Sequence, residues 1–225
     1  MKPFEFMQGE AKPRIEQALR ESVDIYINKL DYGFYQLAVE APLQLHVMKL
    51  LEQRLDQYTL SADERFVVDL ERNIPLGTKR DEIDGVVEYY FKGKLKEQYL
   101  IEFKYKKPSD GGPNSGNVDA YIDIYELEQQ IATNPLVKAC YFVFVTSDKN
   151  FTIPSSRQMG TRMVFPLYDG YIIQRKAYVP LTPAAVQKLA DSGYSELTFN
   201  KEHEIEYTYT KTAKGEDYWF FVLSI

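Results

Sequence analysis

The chain has 225 residues, 44% of them apolar, with 18 Tyr, 13 Phe and a formal net charge of −6. That length and apolar fraction suffice to bury a core and exclude an intrinsically disordered chain. Cys140 is the single cysteine, which excludes an internal disulfide, and His46 and His203 are too few for a zinc site or a histidine-based triad. No apolar run approaches the ~20 residues that span a bilayer, and residues 1–6 lack the apolar core of a signal peptide. A soluble, cytoplasmic protein with no membrane partner is expected.

Apolar residues Ile15, Leu19, Val23, Tyr26, Ile27 and Leu30 recur at helical spacing and predict an amphipathic helix over 10–30, interrupted at Asp31-Tyr32-Gly33. A second helix is predicted over 41–57, with Pro42 in its first turn and a stripe of Val47, Leu50, Leu51 and Leu55. A strand opens at 66–70 and ends at Pro75-Leu76-Gly77. Two more follow at 82–91 and 98–106, joined by a turn at Lys92-Gly93-Lys94. Residues 108–117, rich in Gly, Pro and small polar side chains, read as a flexible loop. Ala120, Ile124, Leu127 and Ile131 line a helix over 118–133 that Asn134-Pro135 closes. The unbroken apolar run 139–145 then reads as a buried strand.

A strand–helix–strand step makes the strands at 98–106 and 139–145 a parallel pair within a mixed sheet. Beyond residue 150, 162–167 and 170–178 read as strands, and Thr182-Pro183 starts a helix that Ser192-Gly193 stops. Residues 203–210 and 218–224 alternate as a hairpin around Lys214-Gly215. The aromatic residues of this hairpin, Trp219 among them, read as one face of a packed sheet rather than a base-stacking platform. The fold class is therefore mixed α/β (α+β), a central mixed sheet flanked by helices. An N-terminal helical segment (1–37) precedes the core (38–150), and a β-rich C-terminal elaboration (151–225) packs on it.

Glu82-Ile83-Asp84 and Ile101-Glu102-Phe103-Lys104 carry the chemistry. Alternation sends Glu102 and Lys104 to one face of their strand, and Tyr99, Ile101, Phe103 and Tyr105 to the other. A carboxylate beside an amine, with Asp84 on the preceding strand, suits phosphodiester hydrolysis, which needs an activated water and an offset for transition-state charge. Asp84 and Glu102 are hard oxygen donors suited to Mg²⁺ (or Mn²⁺), leaving coordination positions for water and phosphate. Lys104 would position the water or stabilise the pentavalent phosphorane. Residues 92–107 hold Lys92, Lys94, Lys96, Lys104, Lys106 and Lys107 against Glu97 and Glu102. Within this basic zone, Lys106 and Lys107 are candidate phosphate contacts. Glu-x-Lys alone is commonplace on a solvent-facing strand; its weight here comes from the order of elements and the apolar opposite face.

In order and residue type, 38–146 resembles the PD-(D/E)xK, or restriction-endonuclease-like, nuclease superfamily. Asp84 stands where that superfamily has its strand acid, without the usual preceding proline, and Glu102-Phe103-Lys104 matches its triplet. The resemblance implies a restriction-endonuclease-like core and a Mg²⁺-dependent nuclease, an endonuclease or an exonuclease, acting on DNA with Asp84, Glu102 and Lys104 as catalytic residues. It also implies the backbone carbonyl of Phe103 as a metal ligand beside Asp84 and Glu102, and a helix acid at the position of Glu40. Some members use a Gln and a Tyr on the helix after the triplet, where Tyr125, Gln129 and Gln130 stand; Gln130 is the nucleic-acid contact expected there. Residues 151–225 lie outside the resemblance and are expected to serve as a substrate platform or a homodimer interface. Two alternatives stay open: a catalytically inactive nuclease-fold protein that binds nucleic acid or protein, and an unrelated α+β domain with Glu102 and Lys104 on its surface.

Overall fold

Helix α1 (Ala11–Asp31) buries Ile15, Leu19, Val23, Tyr26, Ile27 and Leu30, the stripe that helical spacing predicts. Helix α2 (Glu40–Gln57) carries Pro42 in its first turn, where the missing N–H breaks no helical bond. The computed structural model describes residues 10–76, 79–110, 113–156 and 160–225. Strands β1 (Glu64–Leu76), β2 (Lys79–Phe91) and β3 (Lys94–Lys106) follow, then helix α3 (Pro113–Thr133) and strand β4 (Val137–Thr146). Next come α4 (Thr161–Val164), β5 (Ile172–Ile173), β6 (Ala177–Tyr178), α5 (Pro183–Asp191), β7 (Leu197–Thr198) and β8 (His203–Glu204). Strands β9 (Thr208–Lys211) and β10 (Asp217–Ser224) end the chain.

Six strands form one mixed sheet in the order β1-β2-β3-β4-β10-β9. Only β3 and β4 are parallel, joined through α3 as the strand–helix–strand step requires. Helices α1 and α2 cover one face, over Val87, Tyr99, Ile101, Phe103, Tyr141 and Val143. Helices α3 and α5 cover the other, over Val86, Leu100, Phe142, Phe144 and Phe221. The alternation expected along β3 therefore holds, with Tyr99, Ile101, Phe103 and Tyr105 all buried against the α1–α2 layer. No described helix is long and apolar enough to cross a membrane.

Several local expectations are corrected. Residues 162–167 are not a strand: α4 occupies 161–164, and Phe165 and Leu167 then bury themselves singly. The run 170–178 yields only two dipeptide strands, β5 and β6, which pair with β8 and β7 rather than with the main sheet. The expected loop at 108–117 is shorter, because α3 already begins at Pro113; Gly111 and Gly112 lie outside the described residues. Gly116 serves packing: a Cβ there would sit 2.8 Å from the Phe151 ring. Neighbouring Asn117 is buried, and its Nδ2 donates to the Phe165 carbonyl at 2.7 Å. The C-terminal elaboration is more than a layer on the core, since β10 is a full sheet member beside β4 from Trp219↔Thr146 to Ser224↔Tyr141.

Candidate active site

A left-handed backbone residue marks the place where the sheet opens. Glu71 has a φ of 50°, which for a non-glycine residue costs of order 1 kcal/mol. It falls opposite Asp84, between the pairs Leu70↔Gly85 and Arg72↔Ile83. At this point β2 turns over. Gly85 faces α2, where a Cβ would meet Met48 at 2.6 Å, yet Ile83, two residues away, is buried in the core on the α3 side. Strict alternation would put both on one face. Beyond this reversal β2 stays with β1, and its ladder to β3 ends at Gly85↔Ile101.

Two carboxylates occupy the edge that β2 leaves. The main-chain N–H of Phe103 donates to Asp84 Oδ2 at 2.8 Å, and that of Tyr105 to Glu40 Oε2 at 2.6 Å. Residues two apart present their N–H groups to the same edge, so the acids stand in for a partner strand. Glu40 begins α2 but reaches across to the sheet. The N–H and C=O of one strand residue face the same neighbour, so the Phe103 carbonyl opens toward Asp84 as well.

Glu102 and Lys104 project from β3 toward α3. Lys104 Nζ lies 3.0 Å from Asp123 Oδ2, with 19% of each side chain exposed. Lys106 Nζ donates to Asp119 Oδ2 at 3.0 Å, and the other oxygen of Asp119 lies 2.5 Å from Lys188 Nζ. Helix α3 runs back along β3. Four helical residues rise about 6 Å and two strand residues about 6.7 Å, so Asp123 and Asp119 match Lys104 and Lys106. Sequence reasoning missed Asp123. Its one signal was an i, i+4 acid pair at the margin of the Ala120–Ile124 stripe, which also describes any solvated helix border.

Glu40, Glu102 and Asp123 all bear on the ammonium of Lys104, and Asp84 bears on each of those three acids. Burial first, then the charges of Asp84 and Asp123, push the Glu102 carboxyl well above the usual carboxylate range. Burial likewise raises Asp123 and Glu40, while Lys104 draws both back. Asp123 first, then Glu40 and Glu102, hold Lys104 above the ordinary lysine range against its desolvation. These acids favour the charged form of Lys104.

This excess of partly buried negative charge is the condition a divalent cation relieves. Among the described residues no group of three or more His, Cys, Asp or Glu side chains forms a ready metal cage. Asp84 and Glu102 are near enough for the charge of Asp84 to raise the Glu102 carboxyl. With the Phe103 carbonyl they supply hard oxygen donors on one side, the sparse protein share that Mg²⁺ takes beside water and phosphate. These residues fit the ion.

The expected nucleic-acid contacts fare unequally. Lys107 donates to the Ala38 carbonyl at 3.0 Å and lines a cleft of about 720 Å³ with Lys149 and Trp219. Lys106 is engaged by Asp119. Gln130 is 0% exposed, with neither amide atom hydrogen-bonded. That expectation is corrected: α3 turns Gln130 into the core, where no polyanion reaches it. Comparison with known proteins finds no matching family model, no similar curated protein and no similar solved structure.

Proposed function

We propose that this chain is a Mg²⁺- or Mn²⁺-dependent nuclease that hydrolyses phosphodiester bonds in DNA, on a restriction-endonuclease-like core at 38–150. The observation that carries this reading is the β3 edge, where Asp84 and Glu40 bond the Phe103 and Tyr105 N–H groups beside Glu102 and Lys104. Asp84, Glu102 and the Phe103 carbonyl would hold the ion, which when bound offsets phosphate charge and acidifies a bound water. Lys104, kept cationic by Asp123, presents its ammonium to the phosphoryl oxygen on which charge grows in the transition state. Glu40 has one oxygen committed to the Tyr105 N–H, which leaves the other to orient the attacking water. Lys107 and Lys149, in the adjoining cleft, meet flanking phosphates.

The test is cleavage of plasmid, linear and single-stranded DNA and of RNA, with Mg²⁺ or Mn²⁺ against EDTA, by the native protein and by Asp84→Ala and Lys104→Ala. Metal-dependent cleavage, reduced at least ~100-fold in each variant with thermal unfolding still cooperative, is the expected result. Unchanged turnover in both variants overturns the assignment. Folded native protein inert on all four substrates selects a second reading, a binding module on the same core. The capture of Lys104 and Lys106 by Asp123 and Asp119 favours that reading.

A further inference from the structure

Strand β10 has one edge that the fold leaves unpaired beyond Phe220. It pairs with β4 as far as Ser224↔Tyr141, but its ladder to β9 stops at Phe220↔Thr208. Ile225 and Cys140 exchange N–H···O bonds at 2.9 and 3.4 Å. By alternation, Ile225, Leu223 and Phe221 turn their main chain toward β4. The main-chain groups of Val222 and Ser224 point the other way, and no described residue bonds to them. The segment before β9 veers off instead. Ile205 N donates to the Tyr171 carbonyl and Gly170 N to the Ile205 carbonyl, both at 2.8 Å, and β8 pairs with β5.

Between the diverging strands lies a groove of about 700 Å³. Asp24, Asp169, Glu202, Glu204 and Glu206 line it, with Arg20 as its only Lys or Arg. Arg20 is itself paired with Glu16 at 3.2 Å. In the wall, His203 is 3% exposed and its Nε2 makes no hydrogen bond, the Glu128 carboxylate standing off at 3.7 Å. The open edge, Phe221-Val222-Leu223-Ser224, holds no lysine or proline, the residues that usually blunt a free strand. A second copy in two-fold pairing would bring this acidic rim against itself. A cationic partner meets no such repulsion.

We infer that the groove docks an extended, cationic segment of a partner protein, which joins the sheet as a strand beside β10 by pairing with Val222 and Ser224. Main-chain bonds would supply the binding and the acidic rim the choice of partner. The open edge admits about four residues. The inference is independent of the nuclease assignment.

The test is fluorescence anisotropy with a labelled peptide of alternating Lys and Val. Its comparators are the same peptide N-methylated at alternate amides and an alternating Glu–Val peptide. Saturable binding is expected, weakened at least ~10-fold by N-methylation, by 0.5 M salt and by the exposed double substitution Glu204→Lys/Glu206→Lys, and absent for the acidic peptide. In the unmodified protein, the Val222 and Ser224 amides should exchange more slowly once the peptide is bound. No saturable binding, equal affinity after N-methylation or charge reversal, or unchanged exchange at both amides overturns the inference. Self-association by sedimentation that the double substitution abolishes would give the edge to a second copy and overturn it too.

Discussion

Arg14 is fully buried on α1, where it joins that helix to Glu64 at the start of β1 and to the Tyr58 carbonyl after α2. Its two Nη atoms each reach a Glu64 oxygen at 2.9 Å, and Nη1 also reaches the Tyr58 carbonyl at 2.9 Å. Glu64 accepts further from Leu60 N and the Tyr89 hydroxyl, both at 2.9 Å. The Arg14 bond, ahead of all other causes, lowers the Glu64 carboxyl from 4.5 to about 2. A depressed folded value means that the unfolded chain binds the extra proton. The stabilisation is therefore complete above pH ~4.5 and drains away as pH falls toward about 2, amounting to about 3 kcal/mol. Urea midpoints across that range should fall steeply in the native protein and less steeply in Glu64→Gln; parallel slopes would deny the pair this role. At the candidate site, Glu40→Gln keeps an oxygen for the Tyr105 N–H, so it should lower cleavage and spare stability. Glu40→Ala should also lose about 1–3 kcal/mol of stability, through an unsatisfied strand N–H. Equal unfolding free energies for the two variants would show that the bond is idle. Asp84, Glu102, Lys104 and Glu40 were legible as candidates through the order of the elements that carry them and the apolar opposite face of β3, not through residue type alone. Asp123 was not, because a helix-border aspartate looks the same whether it meets a buried lysine or water.

Among the elements, the β2–β3 turn and the first turn of α3 show where local chemistry does and does not speak for itself. Lys92 and Gly93 have φ values of 52° and 71°, the two left-handed residues of a tight hairpin, and only the glycine suits that conformation. Lys92→Asn should therefore stabilise the protein by about 0.5 kcal/mol, seen as a higher urea midpoint at unchanged slope. A lower midpoint would show that contacts of Lys92 outweigh its strain. Gly116→Ala should go the other way, losing about 1–3 kcal/mol as its methyl meets the Phe151 ring. A loss near zero would mean that Phe151 moves aside freely. The composition of 108–117 reads as loop because Gly, Pro, Asn and Ser favour turns. The helix starts inside it because tertiary contacts, Gly116 under Phe151 and Asn117 on the Phe165 carbonyl, reward burial there. Paired spacing of β3 lysines and α3 aspartates belongs to this scale too: each element's pattern was readable, their juxtaposition was not.

For the molecule as a whole, the decisive feature is that residues beyond 150 complete the sheet. Tyr218 and Phe220 belong to the core under α1 and α2, whereas Phe221, Leu223 and Ile225 belong to the core under α3. Removing them would bare the β4 edge and unroof both cores. A chain ending at residue 150 should lack cooperative denaturant unfolding and fixed near-ultraviolet dichroism. A sharp transition from that fragment would show that the 38–150 core folds without β10.

The sequence by itself determined the four longer helices, the long strands, the two faces of β3 and which acids and lysine to single out as candidates. These follow from backbone periodicity and residue chemistry, which act over a few positions. Tertiary structure alone decided that Glu40 bonds a strand N–H 65 residues away, that Asp123 rather than solvent meets Lys104, and that Gln130 faces inward. It decided as well that β10 completes the sheet while leaving half of one edge open. Such partners depend on how two faces dock, and the burial energy that docks them is blind to sequence distance and non-directional, so a local pattern carries no record of it.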